Sequence, residues 1–499
     1  MNDMNNSESY ILAIDQGTSS TKTIIFDEQG KAIFKASEPL KTLFLEGNRV
    51  EQEPESIYQN VLTSVKKCLD GFQSAGGDIN KITVCGISNQ RETFVLWDKT
   101  GKPLYNAVVW QCKRSVDVCE RLKRNGLESK INKKTGLIVD PYFSGTKVIW
   151  LYENDPQVKK AIDNGAAYFG NVDTWLLYKL TGGRSYLTDY TNASRTMFFN
   201  LQELNWDWEL LSDFGLSKLN LPEVKPSSFH FGETKLSGLL DHSISISAMI
   251  GDSHAAAFGE GCFELGNAKA TLGTGSSILM NIGGEPKSSQ NGMVTTICWS
   301  TENRIDFALE GIIVSAGATI EWLKNQLGLF QNTEELEEIC LSLKDNGGVY
   351  IVPSFSGLGA PHWDMNRKAS IEGLSLDSTK NHVIRAAVES VAYQIKDVIV
   401  AMEADSGSQL TELKIDGGIT SNKFVDQFLA DLLQRKVTSI EMADVSALGA
   451  AYLAGLQQKI FRDIDHLELL NVNRKVFEPS DDNNIKLWYE GWKNAIDSN

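Results

Sequence analysis

Cysteine is scarce and scattered. The seven residues, Cys68, Cys85, Cys112, Cys119, Cys262, Cys298 and Cys340, are an odd number and contain no Cys-x-x-Cys pair. Neither a disulfide framework nor a zinc site is expected, and a reducing, cytoplasmic setting is the default. None of the six histidines stands at metal-ligand spacing from another. Long apolar runs are missing too. The longest candidate, residues 309–323, is broken by Glu310 and Glu321, so no bilayer-spanning helix is expected. Residues 1–10 carry no basic stretch ahead of an apolar one, which argues against a secretory signal; residues 1–9 are expected to be a flexible tail. Positive charge is in deficit: 48 Lys and Arg against 64 Asp and Glu give a net charge of -16. A nucleic-acid partner would call for a basic face. A nucleotide held by loop amides and Mg²⁺ remains open. No Pro- or Gly-rich linker divides the 499 residues, so the domains should be closely coupled.

What is present is a pattern that occurs twice. Residues 10–15 and 21–26 read as strands joined by Gln16-Gly17-Thr18-Ser19-Ser20, and residues 31–34 as a third strand. Pro54 opens a helix whose apolar face is Ile57, Val61, Val65 and Leu69, with Gly71 as its expected end. Residues 81–86 form the next strand. Later, residues 267–272 and 278–281 read as strands joined by Gly273-Thr274-Gly275-Ser276-Ser277. Helices are expected at 316–327, 381–402, 424–433 and 446–456, and a strand at 413–416 running into Gly417-Gly418. The duplication predicts two similar α/β domains, 10–250 and 251–499, facing each other across a ligand cleft.

Five constellations carry chemistry. In Asp15-Gln16-Gly17-Thr18-Ser19-Ser20-Thr21-Lys22 the glycine permits close backbone approach. Its neighbours offer amides and hydroxyls to phosphate oxygens, and Asp15 could hold Mg²⁺. The Gly273–Ser277 hairpin repeats the argument. Each alone reads as an ordinary turn; the pair would clamp a polyphosphate. Asp416-Gly417-Gly418 leads into a helix that Ser421 or Asn422 could cap, or whose start could receive a flat base. Asp252 opens a helix, as a cap or as a base for a substrate hydroxyl; His254 reads as structural. Arg91-Glu92, between two apolar strands, is either a surface pair or a donor and acceptor for neighbouring hydroxyls. Trp110 and Tyr142 are either core or a pocket wall.

Taken together these stretches resemble the FGGY carbohydrate kinases, nearest to the glycerol-phosphorylating members. The resemblance is carried by SNQRET at 88–93, YNAVVWQCKR at 105–114, DPYFSGTK at 140–147, TDYTNASRTM at 188–197, GLGAPHWD at 357–364 and ALGAAYLAG at 447–455. It implies two duplicated actin-like, ribonuclease-H-like ATPase domains around a central cleft. It also implies ATP and Mg²⁺ as cofactors and transfer of the γ-phosphate to a terminal hydroxyl of a small polyol. By matching position, Thr18, Ser19, Ser20 and Lys22 would line the phosphates, with Thr274, Gly317, Gly418 and Asn422 completing the nucleotide site. Arg91, Glu92, Trp110, Tyr142 and Asp252 would bind the polyol, Asp252 as the base, while Asp15 positions Mg²⁺. A homodimer or homotetramer is implied, with no membrane insertion.

Three positions depart from the family pattern. Ser253 replaces the usual Gln, Ser277 the usual Phe, and Glu321 a Gln expected near the phosphates. The first two changes imply a larger, more polar acceptor pocket. Residues 234–247 lack the Gly-rich, Arg-bearing pattern of an inhibitor site found in some members. Three readings stay open: glycerol as acceptor, a polyol or ketose of four or five carbons, or a catalytically weak regulatory protein on the same fold.

Overall fold

The computed structural model describes residues 9–440, 442, 444–470, 474–481 and 484–498. The tail expected over 1–9 lies outside the described residues except for Ser9, whose backbone N–H donates to Glu28 Oε1 at 2.9 Å.

Two large sheets organise the chain. The first is built from β1 (Tyr10–Gln16), β2 (Ser20–Phe26), β3 (Ala32–Pro39), β4 (Ile82–Asn89), β5 (Ser228–Thr234) and β6 (Ile244–Gly251), in the order β5-β6-β4-β1-β2-β3. The second holds β7 (Asn267–Leu272), β8 (Ser276–Gly283), β9 (Val294–Ser300), β10 (Ile305–Ile313), β11 (Glu412–Asp416), β12 (Lys436–Ile440) and β13 (Arg474–Phe477). Its order is β9-β10-β8-β7-β11-β12-β13. In each sheet an antiparallel hairpin (β1–β2, β7–β8) continues through two parallel strands (β4 and β6, β11 and β12) to an antiparallel edge strand. The expected duplication is thus present strand for strand, with β9 added at the far edge of the second sheet.

Helices cover the sheets because their buried residues recur at helical spacing. α1 (Pro54–Ser74) buries Ile57, Val61, Val65, Leu69 and Phe72. It runs through Gly71, where a Cβ would lie 2.3 Å from the Phe34 ring. The glycine there makes room for an aromatic side chain, so the helix does not end on it. The other expected elements are found with ends shifted by a few residues: β3 is longer, and the predicted 381–402 helix spans Lys380–Ser406. A smaller five-stranded sheet, which includes Phe94–Trp97 and Ala107–Val108, flanks the first half. Arg91 and Glu92 lie between β4 and the strand Phe94–Trp97, and Trp110 follows Ala107–Val108, its backbone N–H donating to Thr93 Oγ1 at 3.2 Å.

The halves meet through two helices, α2 (Asp252–Gly259) after β6 and α3 (Val445–Gln457) after β12. Ala447, Leu448, Ala450 and Leu453 of α3 share one apolar core with Ile11, Ala13, Val84 and Ala248 of the first sheet. The helices cross backbone to backbone: a Cβ on Gly449 would lie 1.9 Å from the Ala255 carbonyl oxygen. Among the described residues no helix is long and apolar enough to cross a membrane, and the seven cysteines are free and buried.

Candidate active site

Between the sheets lies a cleft of about 760 Å³. The strand ends of both hairpins open into it, as expected where loops follow the carboxyl ends of parallel strands. From the first half it is lined by Asp15, Thr18, Lys22, Arg91, Glu92, Trp110 and Tyr142. Asp252, Ser253, Ser277 and Gly418 line it from the α2 start and the second half.

Asp15 is the penultimate residue of β1 and accepts a hydrogen bond from Ser88 Oγ at 3.0 Å. Burial and the neighbouring charge of Asp252 push its carboxyl up to about 6. Thr18 is not a free hydroxyl: it donates to Gln90 Oε1 at 3.2 Å and accepts from Trp110 Nε1 at 2.9 Å. Trp110 therefore ties the first glycine hairpin to the Tyr142 turn, its ring standing edge-on to Tyr142 at 5.6 Å. Lys22 reaches the other half, 3.0 Å from Asp444 Oδ1, and Lys35 shares the same carboxylate at 3.2 Å.

Asp252 is the first residue of α2 and follows Gly251. Its Oδ1 accepts from the Ser253 N–H at 2.7 Å and lies 3.4 Å from Arg91 Nε. Arg91 is itself buried, with Nη2 2.8 Å from Glu310 Oε1. Glu92 sits at φ +59°, a conformation that costs about 1 kcal/mol or more and needs external support. Arg195 Nε donates to its carboxylate at 2.6 Å, and Ser144 Oγ to its carbonyl at 2.8 Å. The Tyr142 turn rests on Lys147, whose Nζ donates to the carbonyls of Pro141 and Tyr142 at 2.8 and 2.6 Å. Burial pulls that amine down to about 7. His254 is fully buried, and burial together with Arg91 holds it well below its usual range. It is a neutral core residue.

In the second half the Gly273 carbonyl accepts from the Gly317 N–H at 2.9 Å. Gly417 has φ +101°, and a Cβ there would meet the Leu272 carbonyl oxygen at 2.5 Å; Gly418 beside it is open and lines the cleft. Ser253 Oγ and Ser277 Oγ lie 3.1 Å apart, and Ser277 Oγ donates to Glu310 Oε1 at 3.2 Å.

Other predicted residues stand back from the lining. Ser19 is exposed at the hairpin tip, and Ser20 begins β2. Thr274 lies between the lining glycines 273 and 275, and its carbonyl accepts from the Ala316 N–H at 3.0 Å. Asn422 caps the following helix by accepting from the Phe424 N–H at 3.0 Å. Glu321 is exposed and accepts from Asn325 Nδ2 at 2.9 Å. Sequence reasoning missed Arg195, Glu310, Lys147 and Asp444. One signal was available: Glu310 is a lone acid inside the apolar run 307–313, which demands a buried cation elsewhere.

Comparison with known proteins adds independent findings. The N-terminal domain model of the FGGY family of carbohydrate kinases matches residues 10–259, and the C-terminal domain model matches residues 268–457. The chain is 44% identical over 489 residues to a glycerol kinase of Carboxydothermus hydrogenoformans, covering 98% of this chain and 97% of that one. It is 45% identical over 489 residues to glycerol kinase 1 of Thermotoga maritima, with 98% and 99% covered. The crystal structure of Plasmodium falciparum glycerol kinase with ADP superposes with a TM-score of 0.92 at 35% identity, covering 99% and 98% of the two chains. A xylulose kinase from Lactobacillus acidophilus shares the fold, with a TM-score of 0.87 at 21% identity and coverage of 98% and 99%. With both family models matched in order and its two halves duplicated around one cleft, the chain belongs to the FGGY family of carbohydrate kinases.

Proposed function

We propose that the protein transfers the γ-phosphate of ATP to a terminal hydroxyl of glycerol, giving glycerol 3-phosphate, with Mg²⁺ as cofactor. The observation that carries this reading is a single cleft in which Asp252, Arg91 and Tyr142 face the space between both glycine hairpins. The relatives described as glycerol kinases support the same acceptor.

Asp252 is the base. Its side chain is 39% exposed toward the cleft, while Arg91 and the Ser253 N–H hold it in place. The acceptor oxygen bonds to the γ-phosphorus as the bond from that phosphorus to the β–γ bridging oxygen breaks. The hydroxyl proton passes to Asp252 and ADP leaves. Arg91 and Glu92 offer a donor and an acceptor to neighbouring hydroxyls. Arg91 lines the cleft, and its buried Nη1 has no hydrogen-bond partner among the described residues, an unmet donor beside the acceptor space. Tyr142 and Trp110 form the wall. Thr18, Ser19, Ser20 and Lys22 serve the phosphates; Thr274, Gly317, Gly418 and Asn422 complete the nucleotide side, while Glu321, exposed and bonded to Asn325, is turned away from them. Alignment supplies most of the rate, since phosphoryl transfer needs little covalent help.

The site suits a hydrated divalent cation. Asp15 is driven up partly by Asp252, a repulsion that such a cation relieves. Among the described residues no cluster of three or more His, Cys, Asp or Glu could hold a metal unaided, as expected where nucleotide phosphates provide the remaining ligands. Bound there through Asp15, Mg²⁺ supplies charge neutralisation on the phosphate oxygens. A division at 250/251, a cytoplasmic setting and a homodimer or homotetramer belong to the same proposal.

A second reading has one specific ground. The Ser253–Ser277 hydroxyl pair offers polar partners where a further acceptor hydroxyl would reach. MgATP-dependent ADP release, measured with glycerol, dihydroxyacetone, erythritol, xylitol, ribitol and xylulose, tests both readings. Highest kcat/KM with glycerol supports the first. A longer acceptor ahead by tenfold, about 1.4 kcal/mol of transition-state preference, replaces it with the second. No turnover with any acceptor removes both.

A further inference from the structure

Glu310 lies within β10, in the second sheet, and its side chain is fully buried. Both cations that hold it come from the other half. Arg91 Nη2 lies 2.8 Å from Oε1, and Arg195 Nη1 lies 2.6 Å from Oε2, the latter a charge contact without hydrogen-bond alignment. The network continues from each arginine. Arg195 Nε holds Glu92 Oε1 at 2.6 Å, and Arg91 Nε faces Asp252 Oδ1 at 3.4 Å. Two guanidiniums and two carboxylates are thus balanced beneath the acceptor pocket. Asp252, at their edge, carries the remaining negative charge. A buried carboxylate persists only when such partners repay its lost hydration. Burial pushes the Glu310 carboxyl up, yet Arg195 and Arg91 outweigh it and keep the group ionised, far below its usual range.

The planar guanidinium of Arg91 can be aimed only if its fork is anchored. Glu310 is that anchor, and it acts from across the domain boundary. We infer that Glu310 is a positioning residue for phosphoryl transfer: it fixes the Arg91 fork so that Nε faces Asp252 and the guanidinium stays along the cleft wall beside the acceptor. The acceptor pocket is then complete only when the two halves are joined. Without the carboxylate, Arg91 swings onto Asp252, the nearest anion left to it, and withdraws from the acceptor. This rests on the roles proposed above for Arg91 and Asp252.

The test compares the parent with Glu310→Gln and Glu310→Asp in the full-length protein. Steady-state KM is measured for glycerol and for MgATP, and MgADP affinity by calorimetry. The expected result for Glu310→Gln is a KM for glycerol raised tenfold or more, with a lower kcat. KM for MgATP and MgADP affinity should stay within twofold. Glu310→Asp, which keeps the charge, should recover part of the glycerol KM. A residue that merely supports the fold would lower the active fraction or weaken both ligands together; either outcome, or an unchanged glycerol KM, overturns the inference. If Glu310→Gln does not fold, Glu310→Asp carries the test: its shorter side chain draws the carboxylate back from Arg91, and the same acceptor-only defect, in smaller measure, is then required of it. Asp252→Asn, assayed in parallel, separates the two levels. Turnover surviving in that variant removes the proposed base. A silent Glu310→Gln beside an inactive Asp252→Asn removes only the positioning role.

Discussion

Replacing Asp15 by asparagine should make the protein more stable and catalytically dead. An isolated Asp titrates near 3.8, whereas burial and Asp252 push Asp15 up to about 6. Between those values the folded state holds a proton that the unfolded chain has released. Stability therefore falls as pH rises from about 4 to about 6 and stays low above that. The full difference corresponds to about 3 kcal/mol. Asp15 is only half-buried, and water screening brings the figure to about 2 kcal/mol. The Asp15→Asn substitution removes the charge and keeps the shape, so the variant should gain that amount at pH 7 to 8 and nothing near pH 4. For a unit the size of the first half this is roughly 4–8 °C in Tm. Other acids with raised values, Asp173 to about 7 and Asp426 to about 8, titrate in parent and variant alike and cancel in the difference. The assay is thermal and urea unfolding of both proteins at pH 4, 5, 6, 7 and 8 without nucleotide. A gap that is constant with pH, or a variant less stable at pH 8, would refute the argument.

Three further outcomes are expected. Asp252→Asn should lower kcat by a thousandfold or more while MgADP affinity stays within twofold; turnover within tenfold of the parent would show that another group takes the proton. Ser277→Phe removes the hydroxyl bonded to Ser253 and Glu310 and fills the pocket. It should raise kcat/KM for glycerol relative to xylitol by about tenfold, and an unchanged ratio would sink the polar-wall argument. Lys147→Met leaves the Pro141 and Tyr142 carbonyls without their donor. It should cost about 2 kcal/mol in stability and raise KM for glycerol more than KM for MgATP; equal changes in both would contradict its part in holding Tyr142.

The duplicated architecture was legible because it is written locally. Each hairpin is a strand, a glycine turn and a strand within 17 consecutive residues, 10–26 and 267–283, and apolar periodicity marks the helices. Asp15, Arg91, Glu92 and Asp252 were visible because strand ends and helix starts have short-range signatures. The rest depends on pairings that no local rule contains. Lys22 and Asp444 are separated by 422 positions, and Arg195 meets Glu92 across 103. Glu310 looked like an interruption of an apolar run, and only the fold brings the two arginines that explain it. Trp110 shows a subtler limit. Its ring reads from the sequence as either core or pocket wall, but the indole N–H bond to Thr18 depends on three-dimensional placement. The Gly71 position failed for the opposite reason: helix-ending chemistry was overridden by the Phe34 ring packed against it.

The crossing of α2 and α3 has an evolutionary consequence. At Gly449 even a methyl group would overlap the Ala255 carbonyl, so drift at the contact is closed to every residue but glycine. α2, which follows the first sheet, and α3, which follows the second, touch there without side-chain padding, which favours a pivot over sliding at the contact. Selection for new acceptors cannot retune this pivot one methylene at a time. It has to work on the walls, where Ser253 and Ser277 stand. A change of acceptor is therefore expected to leave the Gly449–Ala255 contact as it stands.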